Sequence, residues 1–150
     1  LILAFSGIFS YGVVYDQLPK VLTDALLGLS SNPYIVLFLI ILMLLVFGMF
    51  METTVITLIV TPILVPVVKS FGIDPVQFGI IMMTIVTLGC STPPVGVALY
   101  STSQIMGCSV QDTVKKSWPL YIAIGAVVLI CIFCPKLVLF LPNLIYGKAV

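Results

Sequence analysis

Residues 89–96, Gly-Cys-Ser-Thr-Pro-Pro-Val-Gly, interrupt a long uncharged segment near its middle. No charged residue lies between Asp74 and Asp112, and an apolar segment of this length is expected to cross a membrane as a helix. Two adjacent prolines lack the backbone donors that a helix needs, and the flanking glycines permit torsions that a helix does not use. The sequence therefore predicts a helix that is broken inside the bilayer.

The composition indicates a membrane protein. Of the 150 residues, 61% are hydrophobic and 7% are charged, whereas soluble domains carry about a quarter charged residues. The lipid bilayer is thus an expected partner, and a net charge of +1 gives no reason to expect a nucleic acid. Histidine, the commonest catalytic base, is absent from the sequence, and no two acidic residues fall in one predicted site. We therefore do not expect an enzyme.

The first part of the chain contains two different kinds of helix. Residues 1–15 predict the end of a transmembrane helix. The start inside an apolar segment indicates a fragment of a longer chain, and a removed signal segment is the alternative. Residues 16–32 predict an amphipathic helix, because their apolar residues recur at spacings of three and four. A position at the membrane interface and an ordinary surface helix are both open for this segment. Ser31-Asn32-Pro33 is expected to start the next helix.

Residues 34–68 contain one charged residue, Glu52. As a single helix this segment would be ~52 Å long, whereas the hydrocarbon core is ~30 Å thick, so a turn is expected near residues 48–54. The two arms are either full spans, with Glu52 among the headgroups, or the arms of a re-entrant hairpin, with Glu52 near mid-membrane. A carboxylate at that depth is a functional-site hypothesis, and the arm lengths leave both arrangements open.

The broken segment, residues 75–106, would be ~48 Å long as a straight helix. The carbonyls of residues 89–92 are expected to lose their helical donors, and Ser91 and Thr92 add hydroxyl oxygens. Irregular backbone persists in a membrane only beside a polar cavity or inside protein. Secondary transporters use such breaks, with freed carbonyls facing cations and helix N-termini facing anionic substrates. The alternative is a structural kink in which the two hydroxyls satisfy the backbone.

The last predicted span covers residues 117–142 and opens at Trp118-Pro119, where proline suits the start of a helix. A loop at residues 107–116 is expected before it. Lys115 and Lys116 lie in that loop, and the excess of basic residues in cytoplasmic loops predicts a cytoplasmic location for it.

Four motifs carry a resemblance to a known family: GMFME at 48–52, TPILVP at 61–66, GIDPVQFGII at 72–81 and TPPVG at 92–96. With the sequence around them, they resemble the C-terminal part of the large membrane (M, DctM-like) subunit of tripartite ATP-independent periplasmic (TRAP) transporters. The resemblance implies an all-α integral membrane protein that forms the second inverted repeat of an elevator-type transporter. It also implies a re-entrant hairpin at 33–69 and a discontinuous helix at 75–106.

The same resemblance implies a function and partners. The function is sodium-coupled symport of an organic acid anion, such as a C4-dicarboxylate, sialic acid or a related carboxylate, in the bacterial inner membrane. The partners are a soluble periplasmic substrate-binding (P) subunit, a small membrane (Q) subunit and the missing N-terminal repeat of the same M subunit. The amphipathic segment at 16–32 is then a brace between scaffold and moving parts. The alternative is a membrane-anchoring or assembly subunit that does not transport.

Sodium is the expected cofactor, placed between the hairpin tip and the helix break because carbonyl and hydroxyl oxygens suit a hard cation. Glu52 is expected to hold the tip through hydrogen bonds rather than to neutralise the ion. The candidate metal-binding residues are Met51, Glu52, Thr53, Thr54, Gly89, Cys90, Thr92 and Gly96. The candidate substrate-binding residues are Ser91, Thr92, Pro93, Pro94 and Val95.

Overall fold

The computed structural model describes residues 2–30 and 32–146, and every regular element within them is a helix. Leu1 and Ser31, which belong to the predicted segments 1–15 and 16–32, lie outside the described residues. The helices are α1 (Ile2–Tyr15), α2 (Leu18–Leu29), α3 (Pro33–Phe50), α4 (Thr53–Ser70), α5 (Pro75–Cys90), α6 (Val97–Met106), α7 (Val110–Phe133) and α8 (Pro135–Tyr146). In the described part of the chain, α3, α4 and α7 are long and apolar enough to cross a membrane. The prediction of an all-α chain with apolar helices of membrane-spanning length is confirmed for the described residues.

Side-chain caps set the starts of α3 and α5. The side chain of Asn32 accepts a hydrogen bond from the amide of Tyr34 at 3.0 Å, and Asp74 accepts one from the amide of Val76 at 2.7 Å. Each cap satisfies an amide that has no partner within its helix, and in both helices a proline occupies the first turn, where a missing donor costs nothing. The start of a helix at Pro33 was predicted from this pattern.

α7 begins earlier than predicted. Residues 110–116 are helical, although the sequence suggested a loop at 107–116 and a helix opening at Trp118-Pro119. The cause is a cap at Ser109, whose hydroxyl oxygen accepts from the amide of Asp112 at 3.1 Å and whose hydroxyl group donates to the Asp112 carboxylate at 2.6 Å. This reciprocal pair is a strong start signal. Pro119 therefore lies inside the helix.

The core lies mainly between α3 and α5. Both helices contribute residues that are less than a tenth exposed and that recur at helical spacing, so each presents one apolar face to the other. α4 packs against α5 and is contacted on other sides by α1 and α2. The buried residues of this interface are Val36, Leu37, Ile40, Ile41 and Leu44 on α3, with Phe78, Ile81, Met82, Ile85 and Val86 on α5.

Four chain segments meet at one end of the bundle: the start of α3, the end of α4, the start of α5 and the end of α7. They enclose a cavity of about 170 Å³ lined by Pro33, Phe71, Gln77 and Ile132, among others. α3 thus starts at this end and α4 ends there, so the connection between the two helices lies far from this end.

α7 ends at Phe133, so the predicted span 117–142 is divided between α7 and α8. The division follows from Pro135, which has no amide hydrogen to donate to the carbonyl of Cys131, four residues earlier. The side chain of Gln77 replaces that donor: its Nε2 lies 2.9 Å from the Cys131 carbonyl and 3.4 Å from that of Ile132. Gln77 is buried, and its amide therefore joins the start of α5 to the end of α7.

Replacing Gln77 by leucine should destabilise the protein by about 1–3 kcal/mol, because the carbonyl of Cys131 would remain buried without a donor. Thermal unfolding of the purified protein in detergent measures the change. Gln104→Leu, at an exposed position on α6, is the matched control. Equal unfolding temperatures for the two variants would show that the Gln77 contacts contribute little.

Candidate functional site

α5 and α6 are separated by the irregular residues 91–96, which confirms the position of the break. In a continuous helix the amides of residues 93 and 94 would donate to the carbonyls of Gly89 and Cys90. Both residues are proline and have no amide hydrogen. The helix therefore stops because two successive donors are missing.

Hydrogen bonds within the last turn of α5 satisfy some of the backbone and hydroxyl groups at the break. The amide of Thr92 donates to the Gly89 carbonyl at 2.9 Å, and its hydroxyl donates to the Leu88 carbonyl at 2.7 Å. The Ser91 hydroxyl reaches the Thr87 carbonyl at 3.4 Å. The hydroxyl hydrogens are thus directed back into the helix, as the kink interpretation expected, while each oxygen keeps a lone pair that can accept.

The hairpin tip is formed by the end of α3 and the short connection to α4, residues 48–54. Glu52 caps α4: its carboxylate accepts from the amide of Thr54 at 3.1 Å and from the Thr54 hydroxyl at 2.6 Å. A carboxylate at this position also interacts favourably with the helix dipole. The geometry agrees with a role of Glu52 in holding the tip through hydrogen bonds.

Two glycines bring the backbones of α3 and α5 into contact beside the break. A Cβ atom added to Gly48 would lie 2.7 Å from the carbonyl oxygen of Val86, and one added to Gly89 would lie 2.6 Å from that of Leu45. The Cβ on Gly89 would also lie 2.9 Å from the Cα of Gly48. Because the atoms in the way are backbone atoms, no larger residue fits without separating the helices. The first arm of the hairpin is therefore seated directly on the last turn of α5.

The tip is also hydrogen-bonded to the other side of the break. The amide of Gly96 donates to the carbonyl of Met49 at 3.0 Å. Gly96 has a φ of 44°, in the left-handed region that glycine adopts most readily, and it precedes the first residue of α6. The start of α6 is thereby attached to the hairpin tip.

α7 contacts the break from another direction. The phenol of Tyr121 donates to the carbonyl of Ser91 at 2.6 Å, and Tyr121 lies close to the middle of α7. The break and the tip that contacts it are therefore level with the middle of a helix long enough to cross a membrane.

A cavity of about 570 Å³ lies beside the break, between α5, α6 and α7. Hydroxyl groups recur on its walls at helical spacing, and the remaining lining is apolar. The hydroxyl residues are Thr84 and Thr87 on α5, Ser91 directly after α5, Thr102 on α6, and Thr113, Ser117 and Tyr121 on α7.

The predicted site residues differ in exposure, and only some contact the opposite element. Gly89 contacts Gly48, and Gly96 bonds to Met49. Both of these partners precede residues 51–54, which were the predicted ligands at the tip. Glu52 and Thr54 bond to each other and are exposed. The predicted residues that are buried are Gly89, Cys90 and Gly96; those half-buried are Thr53, Ser91 and Thr92; those exposed are Met51, Glu52, Thr54, Pro93, Pro94 and Val95.

Sequence reasoning missed three participants: Gly48, the carbonyl of Met49, and Tyr121. Gly48 lies inside the quoted tip motif, and a second glycine at the break was the signal that two backbones approach each other. Tyr121 lies 30 positions from its partner, and no local pattern indicates that contact. Among the described residues, no three His, Cys, Asp or Glu side chains come together.

The fold and the site define an integral membrane protein in which a helical hairpin is seated on an interrupted helix. Residues 1–137 match the family described as the tripartite ATP-independent periplasmic transporter, DctM component. The chain belongs to this family, which confirms the resemblance drawn from the motifs. It is a family of transporter components and not of enzymes.

Individual relatives agree with this assignment. The chain is 36% identical to the sialic acid TRAP transporter large permease protein SiaM of Vibrio cholerae, over 93% of this chain and 33% of that protein. It is 35% identical to the isethionate TRAP transporter permease protein DctMQ of Oleidesulfovibrio alaskensis, over 93% of this chain and 22% of that protein. It is 32% identical to the C4-dicarboxylate TRAP transporter large permease protein DctM of Pseudomonas aeruginosa, over 95% and 33% respectively. The chain spans about a third or less of the length of these relatives.

Proposed function

We propose that this chain forms part of a permease that carries an organic acid anion across the bacterial inner membrane together with sodium. The observation that supports it most is the contact of the hairpin tip with the helix break, level with the middle of α7. Polar backbone at that depth needs a polar neighbour or a protein partner, and a secondary transporter places its ion and substrate at such a break.

A re-entrant hairpin is the arrangement of α3 and α4 that we favour. α3 starts and α4 ends at the end of the bundle where α7 ends, around the cavity near Gln77. Their tip reaches only the level of Tyr121, near the middle of α7. Two full spans would instead carry the tip to the level of the loop that precedes α7. In our proposal the chain is the second of two inverted repeats, and an elevator movement carries hairpin and break together.

The residues present fit sodium. A hard cation takes oxygen ligands, and the tip and the break offer main-chain and hydroxyl oxygens in the part of the chain where their backbones touch. Gly89, Cys90, Thr92 and Gly96 on the break, with Met51, Glu52, Thr53 and Thr54 at the tip, are the residues that would hold it. A bound cation supplies positive charge at this joint, which favours an anion nearby.

The anion is assigned to residues Ser91, Thr92, Pro93, Pro94 and Val95. The start of α6 lies directly after them, and the unpaired amides and dipole of a helix N-terminus favour a carboxylate. The names of relatives include sialic acid, isethionate and C4-dicarboxylate as transported compounds. The common chemistry of these compounds is an organic acid anion, which is the substrate class we propose.

The proposed partners follow from the tripartite family. They are a soluble periplasmic substrate-binding (P) subunit, a small membrane (Q) subunit and the N-terminal repeat of the same M subunit. α2 packs against α4, the second arm of the hairpin. This contact supports a role of segment 16–32 as a brace between a scaffold and the hairpin.

Uptake into proteoliposomes tests this function. The full-length permease with its Q subunit would be reconstituted, and a binding protein loaded with a radiolabelled organic acid would be added outside. Uptake should require an inward sodium gradient and should stop when a sodium ionophore collapses it. Uptake driven equally well by potassium would contradict sodium coupling, and no uptake with any tested organic acid would favour an anchoring or assembly subunit.

Variants of Glu52 distinguish a capping role from a charge-neutralising role. Glu52→Gln keeps an oxygen that accepts from Thr54, so the sodium concentration for half-maximal uptake should change by less than about twofold. Glu52→Leu removes the cap, which should cost about 0.5–2 kcal/mol of stability and lower uptake about tenfold. Asp74→Leu, which removes the cap of α5 at the far end of the bundle, is the control for a general loss of stability. A large rise in the sodium requirement of Glu52→Gln would show that the charge serves the ion.

A further inference from the structure

Tyr121 is attached to the break although it belongs to a different helix. Its phenol donates to the carbonyl of Ser91 at 2.6 Å, across 30 positions of sequence, and the bond is partly buried. We propose that Tyr121 is a positioning residue for the site between the hairpin tip and the break, and that α7 is thereby a working part of that site. This proposal rests on the proposed function for the identity of the ion and the substrate that the site binds.

The carbonyl of Ser91 needs a donor from outside α5. Ser91 is the first residue after α5, and Val95, which would donate to it in a continuous helix, lies in the irregular segment. A carbonyl without a donor is costly at mid-membrane. The phenol of Tyr121 therefore decides in which direction this peptide group points, since a short hydrogen bond fixes the carbonyl toward α7.

The position of this peptide matters because the two sides of the break are joined to different elements. The amide of Gly96 is bonded to the tip through Met49, and the carbonyl of Ser91 is bonded to α7. The residues between them, including both prolines, are thus held at each end by an element other than their own helices. Loss of either bond should let the carbonyls of Cys90 and Thr92 change direction.

Water cannot take over the role of the phenol fully. Ser91 and Tyr121 both line the cavity of about 570 Å³, which has room for water at about 30 Å³ per molecule. In a Tyr121→Phe variant a water molecule can therefore donate to the Ser91 carbonyl and keep the protein folded. Such a water is not attached to α7, so it does not fix the carbonyl in place.

The reactivity of two buried cysteines tests the proposal. Cys90 ends α5 at the break and Cys131 lies near the end of α7, and each is 9% exposed. Full-length permeases that keep only one of these two cysteines would be treated with N-ethylmaleimide. Tyr121→Phe should raise the modification rate of Cys90 about threefold to tenfold, the effect of losing one net hydrogen bond, and should leave Cys131 unchanged.

Tyr34→Phe is the matched control. Tyr34 is an exposed tyrosine at the start of α3, whose ring stacks on Phe133, and its variant should leave Cys90 unchanged. An unchanged Cys90 rate in Tyr121→Phe would overturn the proposal. Equal increases at Cys90 and Cys131 would overturn it as well, because they would indicate a general loosening of the bundle.

The sodium dependence of transport provides a second measurement, which should not change if Tyr121 has only a structural role. Tyr121→Phe should raise the sodium concentration for half-maximal uptake about threefold to tenfold, with a maximal rate within about twofold of the unmodified permease. An unchanged sodium requirement would overturn the proposal. If the unmodified permease takes up substrate without sodium, the proposed coupling fails, and the half-saturating substrate concentration then replaces sodium in the same comparison.

Discussion

Gly89→Ala should abolish most transport, and Gly48→Ala should do nearly the same. A Cβ at Gly89 would lie 2.6 Å from the Leu45 carbonyl oxygen, and one at Gly48 would lie 2.7 Å from that of Val86. Neither backbone can yield locally, so α3 and α5 must separate. Forcing extra atoms into a packed contact costs about 1–3 kcal/mol, and the separation moves the tip away from the break.

Thermal unfolding in detergent and sodium-driven uptake measure the two consequences. Gly79→Ala is the control, since Gly79 lies on the same helix and an added Cβ meets no atom within 4 Å. The double variant should be no worse than about the larger single one, because both substitutions disrupt the same contact. If Gly89→Ala and Gly79→Ala gave the same unfolding temperature and the same uptake, the contact between the backbones of α3 and α5 would not be needed for transport.

Gly96→Ala should reduce transport by more than about tenfold, and Gly107→Ala is its control. Gly96 combines a φ of 44° with an added Cβ that would lie 2.8 Å from the carbonyl oxygen of Thr92. Relief of that overlap requires movement of the Gly96 amide, and loss of its bond to Met49 follows. A lost hydrogen bond at a buried site together with left-handed strain costs about 1–3 kcal/mol.

Gly107 has the same kind of backbone, with a φ of 63°, but an added Cβ there meets no atom within 4 Å. Gly107→Ala therefore carries the strain of the left-handed conformation without the contact at the break. Uptake by the two variants, normalised to the amount of folded permease, separates these causes. A similar loss in both variants would mean that backbone strain, and not the tip contact, accounts for the effect at Gly96.

The sequence predicted the break and the start of α3 because both depend on proline. A missing amide hydrogen acts on carbonyls only four positions away, so the effects of Pro93 and Pro94 are visible from the local sequence. The early start of α7 is also encoded locally, in the reciprocal bonds of Ser109 and Asp112, although the sequence predicted a loop there and a helix start at Trp118-Pro119. Charged side chains at the end of a membrane helix do not prevent helix formation.

The joint between tip and break was only partly predictable. Two glycines in different segments indicate close approach somewhere, but their pairing depends on how α3 packs on α5. The bond from Tyr121 to Ser91 and the bond from Gln77 to Cys131 join residues far apart in sequence, and each satisfies a carbonyl whose donor is lost elsewhere. Tertiary packing sets such contacts. The sequence predicted the loss of donors for carbonyls at residues 89–92, but it did not indicate that Tyr121 would supply one.

The bond between Gly96 and Met49 also has a consequence for the resting state of the hairpin. If the hairpin moved away from the break, the amide of Gly96 and the carbonyl of Met49 would both lose their partner. That loss alone is worth about 1–3 kcal/mol, which corresponds to an open population between roughly one molecule in six and one in 160. A ligand opens the hairpin appreciably only if it binds the open form more tightly by a comparable free energy. In the absence of such a ligand, this single bond favours the form in which the hairpin is seated on the break.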